Sequence, residues 1–416
     1  MASNNYLSIG DYDILVQNLS KFAKDQRLKV AVPFQTTGVS RLYAFTGGFS
    51  RVYKVRINNQ SKALRCWHKD PGKVQNRFPT ISDYLSKKSF PFFVDIIYIP
   101  DAMSFKGKNI AVSLMDWVEG ETLLKFLEKN INNTNLIKLI AQKFLEMAEE
   151  LHKNKIAHGD LQAENIMVYS NGGNLSLRLI DYDSLYIPLL SESILDELVG
   201  LPSFQHPNRK ELVQNKSNYY KADYFSELVI FLSLIAYSQQ PTLWSGSKER
   251  LLFDSSDYIR PKASRLIKDL LNSPNSQVVY LTEKLVEYCL TSPNSLQPIE
   301  KIISSSTKPG TNRNVQQDNF EQFFKKEVNV TPKTRTSTKK AQGIDDFFGN
   351  SISVSTNNLV CQRGHPAPKP NPADPYCPVC NDYSYFFGPG QNCPSCNRII
   401  PKRIIARCPG CGAKLK

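Results

Sequence analysis

The sequence predicts an α+β domain followed by a flexible linker and a small metal-stabilised domain, and three observations carry that reading. Two short apolar strands, residues 166–168 and 177–180, are joined by an Asn171-Gly172-Gly173-Asn174 turn. Helical patterns flank them: apolar residues recur at three- and four-residue spacing over residues 137–151, and a continuous apolar run lies near residues 228–237. Cys-x-x-Cys pairs crowd the C-terminal segment. A chain of 416 residues is expected to hold two or three domains, and 41% hydrophobic residues can fill a sizeable core.

The strand pair carries polar motifs at both ends. Before it stands His158-Gly159-Asp160-Leu161-Gln162-Ala163-Glu164-Asn165, and after it Asp181-Tyr182-Asp183. Phosphoryl transfer asks little covalent chemistry of a protein; it needs negative charge neutralised and the nucleophile held in line with phosphorus. Asp160 suits the task of orienting an attacking hydroxyl and taking its proton. Asn165 and Asp181 suit the holding of Mg2+ against the β- and γ-phosphates. In order and spacing these residues resemble the catalytic loop and metal-binding strand of the eukaryotic-type protein kinase superfamily. The resemblance implies a bilobal protein-kinase-like fold over residues 1–303, with a small lobe to residue 115 and a large lobe from 116. It also implies ATP and Mg2+ as cofactors and the Ser or Thr hydroxyls of a protein as substrate.

Other landmarks follow in chain order. Phe45-Thr46-Gly47-Gly48-Phe49-Ser50-Arg51-Val52 resembles a degenerate glycine-rich phosphate loop, with Gly47 as the middle glycine and Phe45 and Ser50 at the outer two positions. Ala63-Leu64-Arg65 stands where the next strand should carry Ala-x-Lys, so Arg65 takes the place of the ATP-binding lysine with a longer, planar fork. No glutamate lies between Lys73 and Phe90, where the partner helix is expected, and Asp83 is the nearest acidic candidate. Residues 111–120 resemble the fifth strand and hinge against which an adenine ring packs. The implied ATP-contacting set is Gly47, Gly48, Val52, Arg65, Met115, Asp116, Val118, Asn165 and Asp181.

Within the loop Gln162 replaces a lysine, and Gly159 replaces the arginine that reads a phosphorylated activation segment, so control by such phosphorylation is not expected. His158 reads as packing support and His152 as the end of a core-facing helix. Phe204-Gln205-His206-Pro207 stands where Ala-Pro-Glu is usual, and Asp223-Tyr224-Phe225-Ser226 resembles the start of the buried helix of the large lobe. Competing readings follow. The intact metal-side residues favour an active, atypical kinase, while the nucleotide-side losses favour a pseudokinase scaffold. His-Gly-Asp-Leu also resembles the loop of small-molecule phosphotransferases such as aminoglycoside and choline kinases.

Composition shifts after Ile303. Residues 304–358 are rich in Ser, Thr, Lys, Asn and Gln and read as a flexible basic linker. Two islands in it, one with Phe320, Phe323 and Phe324 and one with Ile344, Phe347 and Phe348, set an apolar residue three before a Phe-Phe pair, on a common helical face. They are similar to short peptides that bind replication sliding clamps; docking back onto the kinase lobe is the blander reading.

Residues 359–416 carry Cys377 and Cys380, Cys393 and Cys396, and Cys408 and Cys411, each pair at the spacing by which two thiolates grip one tetrahedral Zn2+. Cys361 with His365 completes eight ligands. Sequential grouping gives Cys361, His365, Cys377 and Cys380 around one Zn2+ and Cys393, Cys396, Cys408 and Cys411 around the other, an arrangement that resembles a double zinc ribbon. A segment with few core-sized side chains needs that metal, which supplies about 10–16 kcal/mol in small finger peptides. Four protein ligands close each site and exclude hydrolytic zinc chemistry.

The formal net charge is +14, and the tail after Asp382 carries Arg398, Lys402, Arg403, Arg407, Lys414 and Lys416 without an acidic residue. Weak, salt-sensitive nucleic-acid contact through this tail is one expectation and docking of a protein partner the other. The N-terminus has no basic region followed by an apolar stretch, and the longest apolar run is too short to span a bilayer. A soluble cytoplasmic protein with no membrane contact is expected.

Overall fold

Alternation of period two dictates the first sheet of the computed structural model, which describes residues 6–36, 41–70, 74–88, 90–171, 174–190, 200–214 and 216–305, and four short strands beyond them. Its strands are β1 (Val32–Pro33), β2 (Ala44–Thr46), β3 (Ser50–Ile57), β4 (Gln60–Trp67), β5 (Ile96–Phe105) and β6 (Lys108–Asp116). All pairings are antiparallel, in the order β1-β3-β4-β6-β5 with β2 also on β3. In β3 the side chains of Tyr53, Val55 and Ile57 are buried while Arg56 faces solvent. Asn58 and Asn59, with φ of 48° and 66°, turn β3 into β4. A two-residue turn with both centres left-handed matches the strand twist, and asparagine tolerates that conformation.

Three short helices that the sequence reading does not anticipate cover one face of this sheet: α1 (Ile9–Gln17), α2 (Leu19–Phe22) and α3 (Gln26–Lys29). Ser8 caps α1 by accepting from the Asp11 amide at 3.1 Å. Leu15, Val16, Leu19 and Leu28 form one apolar cluster with Tyr53, Val55, Leu64, Cys66 and Val112. Tyr12 donates to the Trp67 carbonyl at 2.8 Å in a buried bond and Tyr53 to Asp13 at 2.8 Å in a partly buried one, so the helices are tied to the strands by polar bonds as well. α4 (Val74–Lys87) packs on β5 from a second cluster containing Phe78, Ile81, Leu85, Trp67 and Ile96.

The chain then passes through β7 (Glu121–Thr122), α5 (Leu123–Asn130) and α6 (Thr134–Lys153), the last capped by Asn133. β8 (Ile166–Asn171) and β9 (Asn174–Leu179) join β7 in a three-stranded sheet, longer than the strands read from sequence but in the same place. After α7 (Lys210–Gln214), α8 (Tyr224–Gln239) is buried from Tyr224 to Ser238. It is surrounded by α6, α11 (Ser276–Leu290) and α12 (Ile299–Ser305), with α9 (Ser255–Ile259) and α10 (Arg265–Leu271) between α8 and α11 in sequence. A helix apolar on every side is a core helix. Among the described residues no helix is long and apolar enough to cross a membrane.

Contacts divide the chain into one unit of Met1–Ser170 with Leu175–Asn329 and another of Asn171–Asn174 with Val330–Lys416. In the latter, β10 (Val360–Cys361) pairs antiparallel with β11 (Phe386–Phe387), and β12 (Gln391–Asn392) with β13 (Ile399–Ile400).

Candidate active site

The loop between α6 and β8 is held by carboxylate, imidazole and amide groups. Asp223, 2% exposed at the N-terminus of α8, accepts from the backbone amides of His158 and Gly159, the latter at 3.0 Å. A carboxylate with two amide donors beside a helix N-terminus is stabilised by both. The imidazole of His158 bonds the Ile180 carbonyl at 2.8 Å and so ties the loop to the residue before Asp181, which is the packing role read from sequence. Arg209, buried, donates to the Gly159 carbonyl.

Gly159 has φ +80°, and a Cβ there would run into the Ser184 carbonyl oxygen and lie 2.9 Å from Ser184 Cβ. The arginine that the resemblance would put at this position does not fit the backbone. Gly159→Ala is expected to cost about 1–3 kcal/mol through the left-handed strain and the backbone collision. Urea unfolding checks it, and a loss below the measurement error would mean that the Ser184 turn yields freely.

Asp160 is oriented by amides from its own loop. Its Oδ2 accepts from Gln162 Nε2 at 2.9 Å and from Asn165 Nδ2 at 3.2 Å, and Asn165 also donates to the Asp160 carbonyl at 2.8 Å. Oδ1 has no hydrogen-bond partner among the described residues. Burial pushes the Asp160 carboxyl above the usual aspartate range and Asp181 adds to that, against His158, Gln162 and Arg209, which pull it down. A raised pKa with one free oxygen suits a group that must accept a proton. Gln162, read as a lost lysine, thus has a function of its own in fixing Asp160. Gly200 approaches from the other side, its absent Cβ falling 2.7 Å from Asp160 Oδ1.

Asp181 has φ 65° and ψ 78°, left-handed for a non-glycine residue, and its side chain is 46% exposed. Tyr182 anchors this turn: buried, it accepts from the Val94 amide and donates to the Leu179 carbonyl, both at 2.9 Å. Asn165 gives its Nδ2 to Asp160, which leaves the amide oxygen for a cation. Mg2+ takes one or two carboxylates plus phosphate oxygens and water rather than an all-protein cage. Asp181 and Asn165 fit that need, and no group of three or more His, Cys, Asp or Glu that could hold a metal ion by itself occurs among the described residues.

The residues read from sequence as contacting ATP, Asn165 and Asp181 apart, lie in the β2–β3 turn, on β3, β4 and β6, and just after β6. Gly47 donates to the Ser50 carbonyl at 2.9 Å, closing the turn, and Gly48 stands exposed. A Cβ at Gly48 would meet nothing within 4 Å, so the protein itself does not require glycine there. Val52 pairs with Arg65 across β3 and β4, and Met115 lies opposite Ala63 and Ile96. Asp116 is engaged by Lys62, and Val118 accepts from the Gly120 amide at 3.0 Å.

Arg65 is where the structure departs furthest from the sequence reading. It is 6% exposed; its Nε donates to Ser50 Oγ at 2.8 Å, its Nη1 to Asp183 at 2.6 Å, and its Nη2 to the second Asp183 oxygen. Nη1 also lies 3.2 Å from Asp181 Oδ1. Burial works against the guanidinium charge, but Asp181 and Asp183 more than offset it and raise its pKa. Asp83, the nearest acid by sequence, is not the partner. It sits on the solvent face of α4 and binds Lys87 at 2.7 Å, because the helix turns Phe78, Ile81 and Leu85 inward instead. Asp183, Asp223, Arg209 and Tyr182 are thus site residues whose roles the sequence reading missed. For Asp183 a signal existed: a second acid two residues after Asp181 in an otherwise apolar stretch.

Of the metal ligands read for the C-terminal segment, Cys361 lies in β10 opposite Phe386. His365, Cys377, Cys380, Cys393, Cys396, Cys408 and Cys411 lie outside the described residues, as do the linker islands with Phe320, Phe323, Phe324, Ile344, Phe347 and Phe348. β12 and β13 pair across the interval that contains Cys393 and Cys396. Cys66 and Cys289 are buried free thiols, and burial pushes Cys289 up to about 12, which fits inert core residues.

Comparison with known proteins agrees with the geometry. A family model described as a protein kinase domain matches residues 46–345. The chain is similar to inhibitor of nuclear factor kappa-B kinase subunit alpha of Gallus gallus, at 27% identity over 48% of this chain and 27% of that protein. It is 24% identical to the meiosis-specific serine/threonine-protein kinase mek1 of Schizosaccharomyces pombe over 66% of this chain and 64% of the relative. With CBL-interacting serine/threonine-protein kinase 5 of Arabidopsis thaliana the identity is 25%, over 54% and 51%. The match spans less than two thirds of each relative's length.

Proposed function

The chain belongs to the protein kinase domain family, and from that membership we propose that it transfers the γ-phosphoryl group of ATP to serine or threonine hydroxyls of a protein. The observation that carries the reading is Asp160, with one oxygen fixed by Gln162 and Asn165 and the other unpartnered, on a loop tied through His158 to the turn that bears Asp181. Asp160 orients the acceptor hydroxyl and takes its proton. Asn165 and Asp181 would hold Mg2+, which would supply positive charge against the phosphates of ATP. Arg65 meets the phosphates as the fixed cation of the cleft, and Gly47 and Gly48 let the backbone of the β2–β3 turn approach them. The serine/threonine kinase relatives support the choice of acceptor.

The pseudokinase reading is favoured by one contact, the 3.2 Å approach of Arg65 to Asp181, which places a cation on the carboxylate that must hold the metal. Transfer of labelled γ-phosphate from Mg-ATP to the chain itself and to a generic basic protein decides between them. We expect incorporation by the wild type and at least a tenfold loss in Arg65→Ala, on the scale of a charge-assisted contact worth about 1.5–3 kcal/mol. No incorporation by a folded, zinc-loaded chain would leave the scaffold reading.

For the C-terminal segment we propose two structural Zn2+, one on Cys361, His365, Cys377 and Cys380 and one on Cys393, Cys396, Cys408 and Cys411. The segment then recruits a protein partner or, through its basic tail, nucleic acid, while the linker islands offer apolar plugs to a sliding clamp. We place the protein in the cytoplasm. Metal analysis of the full chain is expected to return two zinc ions per chain, falling to one when Cys393→Ser and Cys396→Ser are combined. A zinc-free chain with intact secondary structure in this segment would sink the ribbon.

A further inference from the structure

In the protein-kinase arrangement a strand lysine is held by a glutamate from the neighbouring helix, and the position of that helix then decides whether the cation is in place. Here α4 presents no carboxylate to Arg65. Its acid, Asp83, is on the solvent face, and the buried charged residue of its inner face is Arg77, itself a cation whose charge acts on Asp183. The carboxylate that grips Arg65 belongs to Asp183, with both oxygens engaged by the buried guanidinium and its own side chain 22% exposed. We propose that Asp183 is the positioning residue of Arg65, replacing the helix acid, so that the nucleotide-binding cation and the metal-binding Asp181 are set by one turn of backbone.

Two consequences follow from that placement. Asp181 and Asp183 are separated by Tyr182, whose hydroxyl pins the turn to Val94 and Leu179, so displacement of this turn removes the metal ligand and the anchor of the cation together. Loss of the Asp183 charge leaves Arg65 buried with Asp181 as its remaining acid, which turns the cation onto the carboxylate that must hold Mg2+. The inference rests on the kinase reading of the cleft, but its readout need not be phosphate transfer.

The test is displacement of a fluorescent ATP analogue by Mg-ATP on the full chain, alongside kcat and KM. Asp183→Asn is expected to weaken Mg-ATP binding at least tenfold, with KM rising by a similar factor, and to raise the Mg2+ concentration needed for half-maximal binding. Asp183→Glu should recover binding to within about threefold. In an Arg65→Ala background the Asn substitution should add less than twofold, because Asp183 acts through Arg65. Wild-type affinity in Asp183→Asn, or losses that multiply in the double variant, would overturn the inference. Should Asp183→Asn alone not fold, Arg65→Ala/Asp183→Asn, which removes both members of the pair, is compared with Arg65→Ala: equal affinity supports the inference and further weakening overturns it. A wild type that binds Mg-ATP without transferring phosphate sinks the catalytic reading alone, and one that binds none sinks both.

Discussion

Asp160→Ala and Asp181→Asn are each expected to lower phosphate transfer by about 10²–10⁴-fold, with unfolding midpoints close to wild type. The range is that of a lost general base, and for Asp181 that of a lost charge at the centre where negative charge must be neutralised. Asp160 is partly buried and its bonds run to Gln162 and Asn165 in its own loop, so truncating it removes local bonds rather than core packing. The two variants should separate by pH. Burial raises the Asp160 pKa above the ordinary aspartate value of about 3.9, so the wild-type rate should fall as pH drops through that raised value. Protonation of the base is what removes activity there, hence Asp160→Ala should lose this acid limb and Asp181→Asn should keep it. A rate for Asp160→Ala within tenfold of wild type, measured with labelled ATP on the same acceptor, would remove Asp160 from the role of base.

How much of this was legible in the sequence depends on how local each feature is. The Asp160 loop, the β8–β9 strands and the α8 start are encoded within a few residues, and the structure sets them where their motifs stand. Arg65 and Asp183 are 118 residues apart, and no pattern of spacing links a strand arginine to an acid in a later turn. Asp83, the nearest acidic candidate, is set aside by a local signal, the helical period of α4. Phe78, Ile81 and Leu85 mark the inner face of α4, and position 83 falls off it. Arg77, four residues before Ile81 and seven before Tyr84, falls on it and is buried. The helices α1 to α3 escaped because each is short, and their stability comes from the sheet they cover rather than from their own periodicity.

The same locality limit hides the second large effect, which concerns His152. At the end of α6 it bonds Glu227 of α8 at 2.9 Å through Nε2 and Glu300 of α12 at 2.8 Å through Nδ1. Tyr224 stands edge-on to the ring at 4.8 Å. Burial alone would lower the histidine pKa, but the two carboxylates outweigh it and push it up to about 10, while burial raises that of Glu227. His152 is therefore a cation between two acids and joins three helices of the large lobe. Its folded pKa lies above the unfolded value of about 6.5, so the stability it supplies is complete below pH 6.5 and is lost as pH rises through 10. His152→Leu leaves Glu227 buried without its cation, for which we expect a loss of about 3–5 kcal/mol at neutral pH.

The raised Glu227 pKa makes the variant's profile distinctive. A glutamate whose folded pKa is raised stabilises the fold below its unfolded value and loses that contribution as pH rises, so His152→Leu should regain stability towards acid. His152→Leu/Glu227→Leu, with no charge left to bury, should recover part of the loss at pH 7. Urea unfolding of the three proteins from pH 5 to 10 provides the measurement. A decline of wild-type stability between pH 7 and 10 that persists unchanged in His152→Leu would assign it to other groups and reduce the buried triad to packing.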